Sequence, residues 1–168
     1  MKSVLISIQP KWCELIASGK KTVEVRKTAP KLEQPFKCYI YCTNVKSMPL
    51  NEYVKIHRAT GGKIDDWHGK VIGEFVCDAI IGHCEMGNAD IAEQQGCIKR
   101  EILFEYANGK ELYGWHISDL VIYDKPKVLD WLRKPVECQP VIGSDKCRDC
   151  HECEIKRPPQ SWCYVEVR

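Results

Sequence analysis

The sequence lacks any apolar run approaching the roughly 18 residues that cross a bilayer as a helix. No membrane partner is therefore expected. It also lacks the long apolar segment and small-residue cleavage site of a secretory leader: Met1-Lys2-Ser3 runs straight into a strand-like stretch over residues 4–8. A cytoplasmic location is the expectation. There is no glycine-rich phosphate loop, and strand-like runs do not alternate regularly with long helices, which argues against a doubly wound sheet. No internal repeat or low-complexity tract is present. Nor is there a large charge of one sign. The net charge is +2, unlike that of a protein that coats nucleic acid regardless of sequence.

What charge there is lies unevenly. Residues 1–37 hold eight Lys and Arg (Lys2, Lys11, Lys20, Lys21, Arg26, Lys27, Lys31, Lys37) against three acids (Glu14, Glu24, Glu33). The remainder is slightly acidic. A basic end on a near-neutral protein suits a patch that meets an anion; scattered solvated lysines are the plainer alternative. The 168 residues, 44% of them hydrophobic, fit one domain with its own core.

The chain organises around Gly19-Lys20-Lys21-Thr22-Val23-Glu24-Val25-Arg26. Residues 10–18 read as a short amphipathic helix with Trp12, Leu15 and Ile16 on one side. Pro10 suits its first turn and Gly19 the left-handed position just past its end. Residues 22–26 then alternate as a strand. Val23 and Val25 point one way, and Thr22, Glu24 and Arg26 the other. Two lysines thus sit on the turn, and a carboxylate and a guanidinium share a strand face. That face lines a cleft, or is an exposed ion pair contributing little.

Further strands are predicted over 37–42, 71–81 (with Gly73 as a bulge or close approach), 112–123 and 161–167. Short helices are predicted over 48–57, 88–95 and 99–106, with a helical turn over 128–132. Residues 27–35, with two prolines, form a connecting loop, and Asp124-Lys125-Pro126 closes the strand over 112–123. The mixture is an α+β domain, a small curved sheet or barrel.

Eleven cysteines without a secretion signal argue for reduced thiols and a metal site rather than a disulfide framework. Cys138, Cys147, Cys150 and Cys153 place four thiols within sixteen residues, spaced x8, x2 and x2. They suit one tetrahedral zinc, an iron–sulfur cluster being a less favoured use. Reduced cysteines in a surface loop, or a disulfide pair, are the alternatives. With four sulfurs such a zinc is structural, and it would order a segment, 138–157, too poor in apolar residues to order itself. No organic cofactor is expected.

Four motifs in order carry a resemblance. They are the Gly-x-Lys-Thr-x-Glu-x-Arg segment after a short helix; Val71-Ile72-Gly73-Glu74-Phe75; Gly114-Trp115-His116-Ile117-Ser118 running on to Tyr123-Asp124-Lys125-Pro126; and Pro158-Pro159-Gln160-Ser161-Trp162-Cys163-Tyr164-Val165. Together they resemble an ASCH domain, a member of the PUA-like superfamily named for RNA-modifying enzymes. Regions 44–69 and 131–157 carry no matching motif. The resemblance implies a small β-barrel flanked by short helices; the domain is expected to span 1–168, with 138–157 as a Cys-rich insertion before the last strand. It implies a cleft beside the Gly-x-Lys segment and binding of RNA or a modified nucleotide. Similar proteins in a smaller branch hydrolyse an acylated cytidine, and nuclease activity has been proposed in the family.

The residues support binding on their own chemistry. Lys20, Lys21 and Arg26 suit phosphates, and arginine also suits a base edge. Trp115, Tyr123, Trp162 and Tyr164 offer flat faces for an unpaired base, although Trp115 and Trp162 sit in strand-like runs where core packing is the plainer reading. The alternative is an enzyme, a nucleoside amidohydrolase or ribonuclease, with Lys21 and Glu24 as acid/base groups. Glu24 stands where the amidohydrolase branch usually has threonine. Glu74, Glu93, His83 and His116 are lesser acid/base candidates, an exposed helix face being the plainer reading of Glu93. A third reading is a protein-interaction module that uses the Cys-rich loop.

Overall fold

The computed structural model describes residues 2–44, 48–82, 90–135 and 153–167. Seven strands, β1 (Ser3–Ile8), β2 (Val23–Arg26), β3 (Phe36–Cys42), β4 (Lys70–Ile81), β5 (Tyr113–Lys127), β6 (Leu132–Arg133) and β7 (Trp162–Val167), form a mixed sheet in the order β2-β5-β4-β3-β1-β7-β6. β1 and β3 run parallel, Val4 opposite Cys38, and the other ladders are antiparallel. The helices are α1 (Pro10–Ala17), α2 (Leu50–Ala59), α3 (Ile64–Trp67) and α4 (Arg100–Ala107), with a short π-helix at Asp90–Gln95.

β1 is buried at all six positions, because its two faces serve two cores. Val4, Ile6 and Ile8 join Cys13 and Ile16 of α1 in the larger cluster. Leu5 points the other way, to Tyr39, Leu132 and Val165. β3 divides likewise, Cys38, Ile40 and Cys42 against Tyr39 and Tyr41. A third cluster seats Val23 and Val25 of β2 on Ala92, Leu103, Ala107 and Leu112, docking the π-helix and α4 on the sheet's end.

The expected barrel is not formed among the described residues: the hydrogen-bonded order has two ends, β2 and β6. The sheet curls far enough to bring β2 opposite β1, but side chains span the gap there. The Arg26 guanidinium of β2 donates to the Ser7 carbonyl of β1, so the gap remains a space rather than a seam.

Other expectations shift locally. β5 runs through Pro126, where β2 no longer lies alongside (its ladder ends at His116), so the missing N–H falls on a strand edge. The turn expected over 128–132 is a 3-10 turn at Leu129–Trp131, and Leu132–Arg133 pairs with β7. α3 was not anticipated; it forms because Ile64 and Trp67 fill the main core. The β4 register breaks between Val71 and Gly73, as the glycine suggested.

Candidate functional site

α1 and β2 build the site together. α1 ends at Ala17, and Gly19 turns back at φ +73°, a backbone that glycine adopts without strain. The Lys20 and Lys21 N–H groups both donate to the Leu15 carbonyl at 3.0 Å. This closure swings the two lysines apart. Lys20 is exposed, whereas Lys21 is 2% exposed.

Lys21 Nζ donates to the Gly96 carbonyl at 2.6 Å, lies 3.5 Å from Glu24 Oε2 and faces the Trp12 ring at 5.1 Å. Glu24 Oε1 accepts from Arg26 Nη2 at 2.9 Å, and Nη2 also donates to the Ser7 carbonyl at 2.6 Å. Arg26 Nη1 reaches Ser161 Oγ at 3.5 Å, and its Nε has no partner among the described residues. Glu24 and Arg26 are 5% and 8% exposed, so they are not the exposed ion pair that was the plainer alternative. Glu24 bridges two buried cations. Burial pushes the Lys21 amine below its ordinary value of 10.5, and Glu24 opposes that shift without cancelling it.

This triad floors a cavity of about 690 Å³, a volume ordinary for a small-molecule site. Trp12 of α1 and Tyr106 of α4 contribute aromatic walls, and Lys11, Lys27, Gln9, Thr43, Ile98, Ile102 and Gln160 complete much of the lining. The segment 95–98 clasps the Lys21 turn. Thr22 N–H donates to the Gln95 carbonyl, and the Cys97 thiol donates to the Lys20 carbonyl at 3.4 Å.

Of the residues named from sequence, Lys21, Glu24 and Arg26 come together at this cavity. Lys20 is not among its lining residues. Trp115, 0% exposed, packs edge-on to Phe36 and Trp162 in the main core. Trp162 donates its indole N–H to Thr28 Oγ1, and Tyr164 accepts from Lys31 N–H. Tyr123 donates to Glu74 on the second core's side of the sheet. Burial opposes ionisation of Glu74, but hydrogen bonds from Lys37 and Tyr123 outweigh it and hold the carboxyl below its usual value. His116 Nδ1 lies 2.6 Å from Asp78 on the β4–β5 ladder, and Glu93 is exposed. None of these lines the cavity.

Sequence reasoning counted Lys11 and Lys27 only as members of a basic stretch, missed Tyr106 and the Gly96 carbonyl, and assigned Trp12 only to an apolar helix face. The Lys11-Trp12 pair beside Pro10 was a usable signal. Tyr106, far away in the chain, gave none. His83, Cys138, Cys147 and Cys150 lie outside the described residues. Cys153 is buried, and its carbonyl accepts from Lys134 N–H. Among the described residues no group of three or more His, Cys, Asp or Glu could hold a metal.

The family model for the ASCH domain matches residues 6–116. The ASCH protein of Zymomonas mobilis is structurally similar, with a TM-score of 0.55 at 18% identity over 98% of this chain and 87% of that one. A point mutant of the same protein superposes with a TM-score of 0.53 at 19% identity over 99% and 91%. At such identity the likeness shows a common fold. No curated protein matches the chain in sequence.

Proposed function

The chain belongs to the ASCH domain family, and on that premise we propose that its cavity binds RNA or a modified nucleotide. The observation that carries this reading is the floor of Lys21, Glu24 and Arg26 beneath aromatic walls. Glu24 presents an acceptor beside cationic donors, the pattern that meets a base edge, while Trp12 and Tyr106 offer stacking faces.

The test is titration of short single-stranded RNA at several salt concentrations. Affinity should fall as salt rises, and Lys21→Met should weaken binding by about tenfold, equivalent to ~1.4 kcal/mol. Methionine fills the lysine's space and leaves Glu24 paired with Arg26. Removing Arg26 instead would strand a buried carboxylate with one partner, a loss of about 3–5 kcal/mol that would confound folding with binding. A folded Lys21→Met protein with unchanged affinity and salt dependence would count against the cavity.

The lowered Lys21 amine favours a second reading, an amidohydrolase or ribonuclease with Lys21 as base and Glu24 as its proton partner. Release of free carboxylate from an acylated cytidine, or shortening of RNA, lost in Lys21→Met, would establish it. For the cysteine cluster the proposal stays a structural zinc held by Cys138, Cys147, Cys150 and Cys153; four thiolates suit the ion and leave no open position for catalysis.

A further inference from the structure

The charged residues of the cavity divide by depth. Lys21, Glu24 and Arg26 are buried at its floor, whereas Lys11 is exposed and Lys27 half-buried at its mouth. Glu24 is the sole carboxylate among the described lining residues, and it is already engaged by Lys21 and Arg26. The mouth cations therefore face no counter-charge within the cavity, and neither has a carboxylate partner among the described residues. Each rests on a wall instead. Lys11 Nζ lies 4.7 Å from the Trp12 ring centroid and Lys27 Nζ 4.8 Å from that of Tyr106.

An ammonium over a ring face at the surface is weakly held, and it covers a face on which a base would stack. A phosphate oxygen is a stronger partner for the same amine. The α1 helix also begins here, with Gln9 and Lys11 lining the cavity and no acidic residue in the first turn, so its positive end adds to the lysines.

We propose that Lys11 and Lys27 are phosphate-binding residues. They leave the rings of Trp12 and Tyr106 for the phosphate of a bound nucleotide, freeing a ring face for its base. The site then takes a phosphate-bearing nucleotide unit in preference to a free nucleoside. This rests on the nucleotide reading of the cavity and adds to it the part of the ligand met at the mouth. Glu24 engages both floor cations and offsets one of their charges, and the two mouth amines, with no carboxylate beside them among the described residues, add their charge where the phosphate would emerge.

Calorimetric titration of the full chain with the four common ribonucleosides, their 5′- and 3′-monophosphates and a single-stranded tetranucleotide tests it. At least one monophosphate should bind tenfold or more tighter than its nucleoside, with the advantage shrinking as salt rises. Lys11→Gln/Lys27→Gln should bring the monophosphate to the nucleoside's affinity while the melting temperature stays the same, since both side chains lie at the surface. Nucleoside and monophosphate binding equally would overturn the inference and leave the nucleotide reading standing. A double variant that keeps the monophosphate advantage would also overturn it. No binding of any nucleoside, nucleotide or oligonucleotide would overturn both.

Discussion

Lys21 carries its charge in a place that disfavours it. Burial lowers its pKa, and the attraction of Glu24 recovers only part of the loss. The folded amine therefore releases its proton at a lower pH than the unfolded amine. Between the lowered value and the ordinary 10.5, the unfolded chain binds more protons than the folded one, and stability contributed by this residue rises with pH. Below the lowered value the cost is fully present. In urea titrations from neutral pH to about 10, wild type should gain on Lys21→Met as pH rises through that window. Identical pH dependence in the two proteins would mean that the amine is not desolvated. The same residue illustrates how exposure divides neighbours. Lys20 and Lys21 share an acceptor at the end of α1, yet one faces solvent and the other floors a cavity.

At the scale of elements, the site depends on two pieces far apart in sequence. The α1–Gly19–β2 unit supplies Trp12, Lys21, Glu24 and Arg26; the segment from the π-helix into α4 supplies the Gly96 carbonyl and Tyr106. Gly96 has no room for a side chain, because a Cβ there would lie 2.6 Å from the Ala92 carbonyl oxygen. Gly96→Ala must move the backbone that accepts from Lys21 Nζ. The expected result is a folded protein, less stable by about 1–3 kcal/mol, with ligand affinity reduced at least as far as in Lys21→Met. Wild-type affinity in a destabilised Gly96→Ala protein would separate the clasp from the site. Secondary structure was largely legible here. Pro10 and Gly19 marked the ends of α1, and the alternation of residues 22–26 marked β2. The π-helix was foreseen only as a short helix, since nothing in its sequence separates one helical hydrogen-bond pattern from another.

For the whole molecule, the cavity exists because the sheet curls without closing. β2 is four residues long, and past its ladder with β5 it meets β1 through the Arg26 guanidinium. A continuous backbone seam would leave no space there. The cysteine segment is a separate matter, and its test is chemical. Protein purified without chelator should contain roughly one zinc per chain. Chelation should loosen residues 138–157 and leave the sheet folded on its own clusters. Cys150→Ser should lose the metal, and Cys77→Ser, in the main core on β4, should retain it. Fresh protein with no zinc or iron would dispose of the site.

The sequence by itself determined the order of most elements, the family through four motifs, and the face on which Glu24 and Arg26 lie. These are local matters of period, turn chemistry and residue type. The tertiary structure decided which of the aromatic and cationic residues meet. Trp115 and Trp162 carry the same flat rings as Trp12, but β5 and β7 place them against the core and Thr28, while α1 places Trp12 at a cavity wall. Tyr106 reaches that cavity only because Leu103 and Ala107, on the same helix, are buried against Val23 and Val25. Burial is a property of all the elements around a residue at once, and no window of sequence contains them.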